Sequence, residues 1–437
     1  MSKTYEFRDP LFGFIEVNEW EREIIAHPVF QRLRRIRQLG LTDMVYPGAM
    51  HTRFEHSLGV MHVAARMFKE IVKRRKEFLI QNLNYTEGGL EKDETVIRLA
   101  ALLHDVGHTP FSHAGEAGDG LFCTNPATGR PYKHEDYSAA AVELLMKDVI
   151  EQHPLNRNYD IKAKDIADFL VGNPSIGRRL LWRDLLDSQL DADRADYLLR
   201  DSHHIGVAYG KYDLNRLLVT MTVVMPEDSQ AGIIAVDDGG AHAAEGLILA
   251  RYMMFTQVYY HRVRRAYDHH LVHAVKSLLI ESQKNTALDR KDCFPPPTPG
   301  NLKNYMEWND WVVLGAIARG EGGEHGQCIR DRHHHRSVYE TPEDITAMDL
   351  EEARTVYNKL GTNVAFVDHA EKSWYKFERE EIPIVERLDQ PGERVVPLST
   401  RSSVVYGLKA VNQIRIYVPY SKKNEADVIV ADARKSE

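Results

Sequence analysis

A histidine and a carboxylate stand side by side at His104-Asp105, closing an apolar run through Val96, Ile97, Leu99, Ala100, Leu102 and Leu103. Together they offer one nitrogen and one oxygen ligand to a divalent metal. The pair alone says little, because a C-cap histidine beside a solvated aspartate gives the same two letters. The next residues say more: Gly107-His108-Thr109-Pro110-Phe111-Ser112-His113 adds two histidines around a glycine–proline turn. Further ligands must come from other segments. His56 opens an amphipathic stretch within Thr52-Arg53-Phe54-Glu55-His56-Ser57-Leu58-Gly59. For a second carboxylate, Asp191, Asp193 and Asp196 compete. Read as one helix from Asp184 to Arg200, the segment places Leu186, Leu190, Asp193 and Tyr197 on one stripe. Asp191 lies about 200° around from Asp193 on that helix. A carboxylate on an apolar face is unfavourable unless something compensates it, and a metal does. The expected ligand set is therefore His56, His104, Asp105 and Asp193. Mixed nitrogen and oxygen ligation suits Mn, Fe, Ni, Co or Zn better than Ca, with Mg also admitted.

Helices must position these groups. Phe54, Leu58, Met61, Ala65, Phe68 and Val72 recur at spacings of four and three, which predicts a helix over 54–72. A polar break is expected over 82–93, then a helix over 94–104 stopped by Gly107 and Pro110. The stretch 115–133 carries glycines, Pro126 and Pro131 and is expected as a surface loop. Helices are predicted over 134–150, 163–171, 184–200 and 244–279, the last long enough to kink. The Pro-rich segment 291–300 is expected as a linker. Beyond it, helical patterns over 308–318 and 350–360 alternate with β-branched runs over 363–367, 382–385 and 413–418. The expected architecture is mainly α: a catalytic core over 1–290 and a smaller α+β lobe over 301–437.

The chain has 437 residues, enough for two lobes, and a net charge of −8, which argues against a dedicated nucleic-acid binder. Basic clusters at Arg32–Arg37, Lys73–Lys76 and Arg262–Arg265 are either solvated helix faces or contacts to a small anionic ligand. No apolar run of about 18 residues is present, so no membrane span is expected. The polar N-terminus lacks a signal-peptide core, and Cys123, Cys293 and Cys328 are odd in number and scattered. A reducing, cytoplasmic setting without disulfides is expected.

The combination His56…His104-Asp105…Asp193 resembles the H…HD…D signature of the HD superfamily of phosphohydrolases. The likeness extends through Phe30–Gly40, Tyr46–Ala49, Arg53–Val60, Leu103–His113, Lys133–Glu135 and Asp193–Asp201. Over roughly residues 5–280 the chain is similar to deoxynucleoside triphosphate triphosphohydrolases, the bacterial enzymes and the mammalian SAM- and HD-domain enzyme. It is thinner after Pro297, and no SAM domain is expected before Tyr5.

That resemblance implies metal-dependent hydrolysis of a dNTP to deoxynucleoside and inorganic triphosphate. It implies His134 in acid–base chemistry at the leaving 5′-oxygen, with Glu135 as an acidic neighbour; by itself, His134 could simply start a helix. It implies His108 and His113 along the phosphate path, and His108 counts with His134 and Glu135 among the catalytic candidates. Arg53 and Arg194 are expected on phosphate oxygens, with Tyr197, Gln38, Asp201 and Tyr267 around the substrate. Gln31 and Arg34 match an allosteric nucleotide site, but Ala26 stands where the mammalian relative has the aspartate that reads guanine. An alanine side chain accepts no hydrogen bond, so guanine-specific activation is not expected, and another nucleotide activator, or none, stays open. A homo-oligomer, dimer or tetramer, is implied. Two other readings remain: an HD enzyme for a monophosphate, modified or signalling nucleotide, or a nucleotide sensor without turnover.

Overall fold

The computed structural model describes residues 3–116, 120–226, 231–286, 288, 290–372, 375, 381–390 and 393–434. The architecture is mainly helical, with small sheets. Strands β1 (Thr4–Asp9) and β2 (Gly13–Asn18) form an antiparallel hairpin that the sequence periodicity did not announce. The Asp9 carboxylate accepts the Leu11 and Phe12 N–H groups in its turn.

The central helix, Arg53–Asn82, begins where expected, because Thr52 and Glu55 close a capping box around its first turn. Its apolar stripe is buried from Phe54 to Phe68. It runs ten residues past the expected end at 72, through non-helical backbone at Arg75, with Leu79 buried in the core and Arg74 and Arg75 paired with Asp237 and Asp389. The Lys73–Lys76 cluster thus includes a true solvated face and two tertiary anchors. The next helix, Glu87–Leu103, starts earlier than predicted because Thr86 caps it. It packs along Arg53–Asn82, which also packs against Ala192–Ile205. Gly59 permits the second contact: a Cβ there would run into the Asp196 carboxylate and the Arg200 guanidinium. Gly107 likewise has no room for a side chain against the backbone of the His134–Leu145 helix.

The predicted 134–150 helix is divided into His134–Leu145 and Lys147–Glu151. The predicted 244–279 helix becomes Ala241–Met254, a π-turn at Phe255–Tyr259, and Arg262–Ser282 capped by His261. Residues 117–119 of the expected 115–133 loop lie outside the described residues.

Strands β3 (Met221–Val224), β4 (Ile233–Asp237), β7 (Pro383–Glu386) and β8 (Arg394–Pro397) form one sheet in that order. β4 and β7 are parallel, with Val236 opposite Ile384. Strands β5 (Arg336–Glu340), β9 (Val411–Val418) and β6 (Phe366–Lys372) form a second, antiparallel sheet. Helices Ala347–Leu360 and Lys423–Arg434 cover it around Val356, Leu360, Ile416, Val418, Ala426 and Val430. The large core draws on both halves of the sequence: Leu302, Tyr305, Val313, Ile384 and Leu398 join it from beyond residue 300.

The stretch 291–300 is fastened down. Cys293 and Phe294 are buried, and the Tyr137 hydroxyl donates to the Pro295 carbonyl at 2.6 Å. The cysteine expectation is corrected here: Cys123 and Cys293 form a disulfide across 170 residues, leaving Cys328 free. Backbone bonds from Phe294 N–H to the Leu121 carbonyl and from Cys123 N–H to the Phe294 carbonyl bring them together. Scattered spacing carried no trace of that pairing, and the cysteines no longer argue for a reducing compartment. Among the described residues, no helix is long and apolar enough to cross a membrane.

Candidate active site

Four segments converge at the N-terminus of Arg53–Asn82 and the C-terminus of Glu87–Leu103. His56 is fully buried in the first turn of the former, and its Nε2 lies 3.0 Å from Asp193 Oδ1 and 3.5 Å from Asp105 Oδ2. His104, the C-cap of Glu87–Leu103, donates from Nδ1 to the Ala101 carbonyl at 2.8 Å. That bond turns its Nε2 toward Asp105 Oδ1 at 3.2 Å and Asp193 Oδ1 at 3.8 Å. His56, His104 and Asp105 can each bring one ligand atom within 4.8 Å of the others.

The three aspartates differ in what each already does. Asp191 caps the Ala192–Ile205 helix, accepting the Arg194 N–H, and also pairs with the Arg194 side chain. Asp196 accepts from His56 Nδ1 and Arg200 Nε, each at 2.8 Å, and Arg200 reaches on to Asp9. Asp193 alone turns its carboxylate to His56 and His104. The helix starts at Ala192, not 184, so Leu186 and Leu190 precede it and no continuous stripe exists. Asp196, His56 and Arg200 form a buried positioning chain that periodicity did not reveal.

The atoms fit a metal. His56 Nε2 and His104 Nε2 are buried without a well-aligned hydrogen bond, and both point at carboxylate oxygens. Bonds of about 2.0–2.2 Å to one ion place neighbouring donors roughly 3–3.5 Å apart, and the contacts among these donors run from 3.0 to 3.8 Å. Without an ion the charges compensate one another. Burial opposes charging His56, but its bonds to Asp193 and Asp196 push the ring up to about 10. Burial likewise disfavours the Asp193 carboxylate, yet the His56 contact holds it well below the usual carboxylate range. Such mutual shifts mark a site arranged around concentrated charge.

A second cluster adjoins the first. The His108 ring stacks on His134 with centroids 3.8 Å apart. His134, the first residue of its helix, faces Glu116 through Nδ1 at 3.0 Å and Glu135 at 3.4 Å. Glu116 also meets His108 and His113, each at 3.2 Å. Burial and the neighbouring Arg53 and His134 charges push His108 down to about 3. Burial opposes protonating His134, but Glu116 and Glu135 outweigh it and raise the ring to about 9. Two stacked imidazoles are thus driven to opposite protonation states, the arrangement that separates acid from base. Glu116, at the centre, was missed in the sequence: it sits in a glycine-rich loop without periodicity.

Both clusters open on a cavity of 890 Å³, within the size range of small-molecule sites. Gln38, Arg53, His113, Arg194, Tyr197 and Asp201 line it, as do Arg264 and Arg265 of the Arg262–Arg265 cluster and the unanticipated Arg130, Lys133, Arg183 and Arg251. Several expected contacts already have partners. Arg53 pairs with Asp105 and donates to Ser112 Oγ at 2.8 Å, and Asp201 accepts from His51 and the Tyr259 hydroxyl. Tyr267 is not at this wall: it is buried against His334, ring centroids 4.7 Å apart. Gln31 and Arg34 lie apart from the cavity and bond to each other at 3.0 Å.

Comparison with known proteins places these residues. The HD domain family matches residues 53–201, and the HD associated region matches residues 212–292. The YwfO protein of Bacillus subtilis is 34% identical over 269 residues, 61% of this chain and 54% of that one. The deoxynucleoside triphosphate triphosphohydrolase SAMHD1 of Gallus gallus is 32% identical over 309 residues, 66% of this chain and 45% of that one. The chain thus spans about half the length of these curated relatives. A crystal structure of a hypothetical protein from Aquifex aeolicus superposes with a TM-score of 0.75 at 27% identity, covering 98% of this chain and 100% of that one.

Proposed function

Because this chain belongs to the HD superfamily of phosphohydrolases, whose domains are metal-dependent, we propose that it hydrolyses a deoxynucleoside triphosphate to deoxynucleoside and inorganic triphosphate. The observation that carries this reading is the contact of the two clusters at the wall of one cavity lined by arginines and a lysine as well as carboxylates. His56, His104, Asp105 and Asp193 would hold the metal, which supplies Lewis acidity toward a phosphoryl oxygen and acidifies water. Its identity belongs among Mn, Fe, Ni, Co, Zn and Mg.

The chain's own residues supply the rest. Asp196, fixed by Arg200, holds His56 Nδ1 so that Nε2 faces the carboxylates. Arg194, Arg183 and Lys133 balance the triphosphate charge and orient it. With Nδ1 of His134 turned to Glu116, the proton it can deliver is on Nε2. As water oxygen bonds to the α-phosphorus and the bond to the 5′-oxygen breaks, His134 donates that proton to the leaving oxygen. The triphosphate departs whole, because the attacked bond lies on the nucleoside side of all three phosphates. A homo-oligomer and a nucleotide activator at Gln31 and Arg34 belong to the same reading by likeness to the relatives.

The test is product identity. Metal-loaded protein given a panel of dNTPs, NTPs and NMPs is expected to release intact tripolyphosphate from at least one dNTP, seen by phosphorus NMR. Pyrophosphate or orthophosphate alone would move the assignment to another nucleotide ester.

Glu116 provides a pH test. His134 is held at about 9, above its ordinary value of about 6.5. The protonated acid, and the stabilisation from its contact with Glu116, is fully present below about 6.5 and lost as pH rises through 9. The alkaline limb of kcat is therefore expected near pH 9, and Glu116→Gln is expected to shift it toward neutrality. A pH–rate profile in which both proteins share one alkaline limb would remove Glu116 from this role.

A further inference from the structure

The Arg262–Ser282 helix has two working faces. Arg264, Arg265 and Asp268 face the catalytic cavity, while His269, His270 and His273 line a second cavity of 350 Å³. The two cavities share no residue. His269 and His273 are four residues apart and so share a face. Across from them the Gly323–Arg330 helix presents His325, with Cys328 one turn further on, and His335 immediately precedes β5.

One ring nitrogen from each of His269, His325 and His335 lies within 4.8 Å of the other two. The surroundings hold these rings in place. His269 stacks on Phe366 at 4.0 Å, and Phe366 on Tyr417 at 4.3 Å. The His335 N–H donates to His270 Nε2 at 3.1 Å, tying the start of β5 to the helix. His335 Nδ1 is buried without a hydrogen-bond partner. The Nδ1 atoms of His270 and His325 are 3.0 Å apart, a separation that needs a proton or a cation between two imidazole nitrogens. Five imidazoles packed together each carry a polar edge into partly buried space, which is costly unless a proton or cation is shared among them; Glu324 lines the same cavity.

We propose that His269, His325 and His335 form a second divalent-metal site, separate from the HD centre, that takes a borderline ion of the Zn²⁺ or Ni²⁺ class. Three imidazoles in an open trio suit such ions and not Ca²⁺ or Mg²⁺, which prefer oxygen. The Cys328 thiol and His273 line the same cavity and are placed to complete the coordination. Burial and the neighbouring rings push His269 down to about 3 and His335 to about 4, so both are neutral and able to ligate at pH 7. An ion here would join three elements distant in sequence: the Arg262–Ser282 helix, the Gly323–Arg330 helix and the start of β5. Its role is a clamp between the helical core and the β5–β9–β6 sheet, independent of the catalytic reading above.

The experiment uses the full chain carrying Asp193→Ala, treated with chelator and titrated with Zn²⁺ alone. Zn²⁺ is expected to bind and to raise the melting temperature, since it binds the folded state, with about one equivalent per chain depending on His269 and His335. Adding His269→Gln or His335→Gln is expected to weaken that binding by at least the roughly 10–100-fold that loss of outer-shell partners alone costs, and to abolish the thermal shift. Should either variant fail to fold, Asp193→Ala itself is modified with diethyl pyrocarbonate and mapped by peptide mass: Zn²⁺ is expected to protect His269, His325 and His335. Unchanged Zn²⁺ affinity in the folded histidine variants, or equal modification with and without Zn²⁺, overturns the proposal.

Discussion

Alanine at position 193 is expected to strip the HD centre of its metal and to lower turnover by more than the roughly 10²–10⁴-fold that a general acid contributes. The carboxylate is the one in its segment that faces both His56 and His104. Its removal takes away one of the two carboxylates that neutralise the ion's charge and leaves His56, His104 and Asp105 to hold it more weakly. Asp191→Ala is the control. It removes a helix cap, costing about 1 kcal/mol, and frees the Arg194 side chain, but leaves the quartet intact. Elemental analysis of both variants decides the matter, read at the HD centre in a His269→Gln background so that zinc at the second cluster does not confuse the count. Equal metal loss in both would show that Asp193 is not the carboxylate that completes the site.

The second large effect is expected at His134. His134→Ala is expected to keep its HD-centre metal, bind nucleotide with little change in KM, and lose roughly 10²–10⁴-fold in kcat. A merely structural role would read out differently. Lys133, not His134, occupies the N-cap, and the capping bond runs from Lys133 N–H to Asp136. The helix start therefore does not depend on the imidazole, and its loss alone would leave kcat intact. A third outcome is also informative. His108, His113, Glu116 and His134 can themselves bring four ligand atoms within 4.8 Å. If His134→Ala lost a metal along with activity, this cluster would be a second ion site in the catalytic cavity, and the proton donor would have to be sought elsewhere.

Much of the centre was legible in the linear chain, for a definite reason. His104 and Asp105 are adjacent, and His56 lies in the first turn of a strongly amphipathic helix, so local pattern sufficed to select them. Helix type and approximate position followed from the same periodicity, since burial of an apolar stripe leaves a repeat of three and four. Ends were less legible. The last turns of the Arg53–Asn82 helix bury Leu79 and pair Arg74 and Arg75 with Asp237 and Asp389, partners that no window of sequence contains.

What tertiary structure decided concerns partners distant along the chain. Asp193 was selected on a helix that does not extend far enough to supply the argument. The reason it faces the site is that Asp191 is committed to a cap and Asp196 to His56 and Arg200. Glu116 acquired its importance only when the loop carrying it folded over His108 and His134. Cys123 and Cys293 met because backbone pairing aligned Leu121 and Phe294. The histidines at 269, 325 and 335 lie on three elements whose spacing holds no metal motif, and packing of two helices against the start of a strand brought them together. By itself the sequence determined residue types, the helical periods and the local His-Asp pair, because those depend on near neighbours. Which carboxylate remains uncommitted, which ring is charged and which cations surround the cavity depend on contacts closed across tens to hundreds of residues, and those exist only in the folded chain.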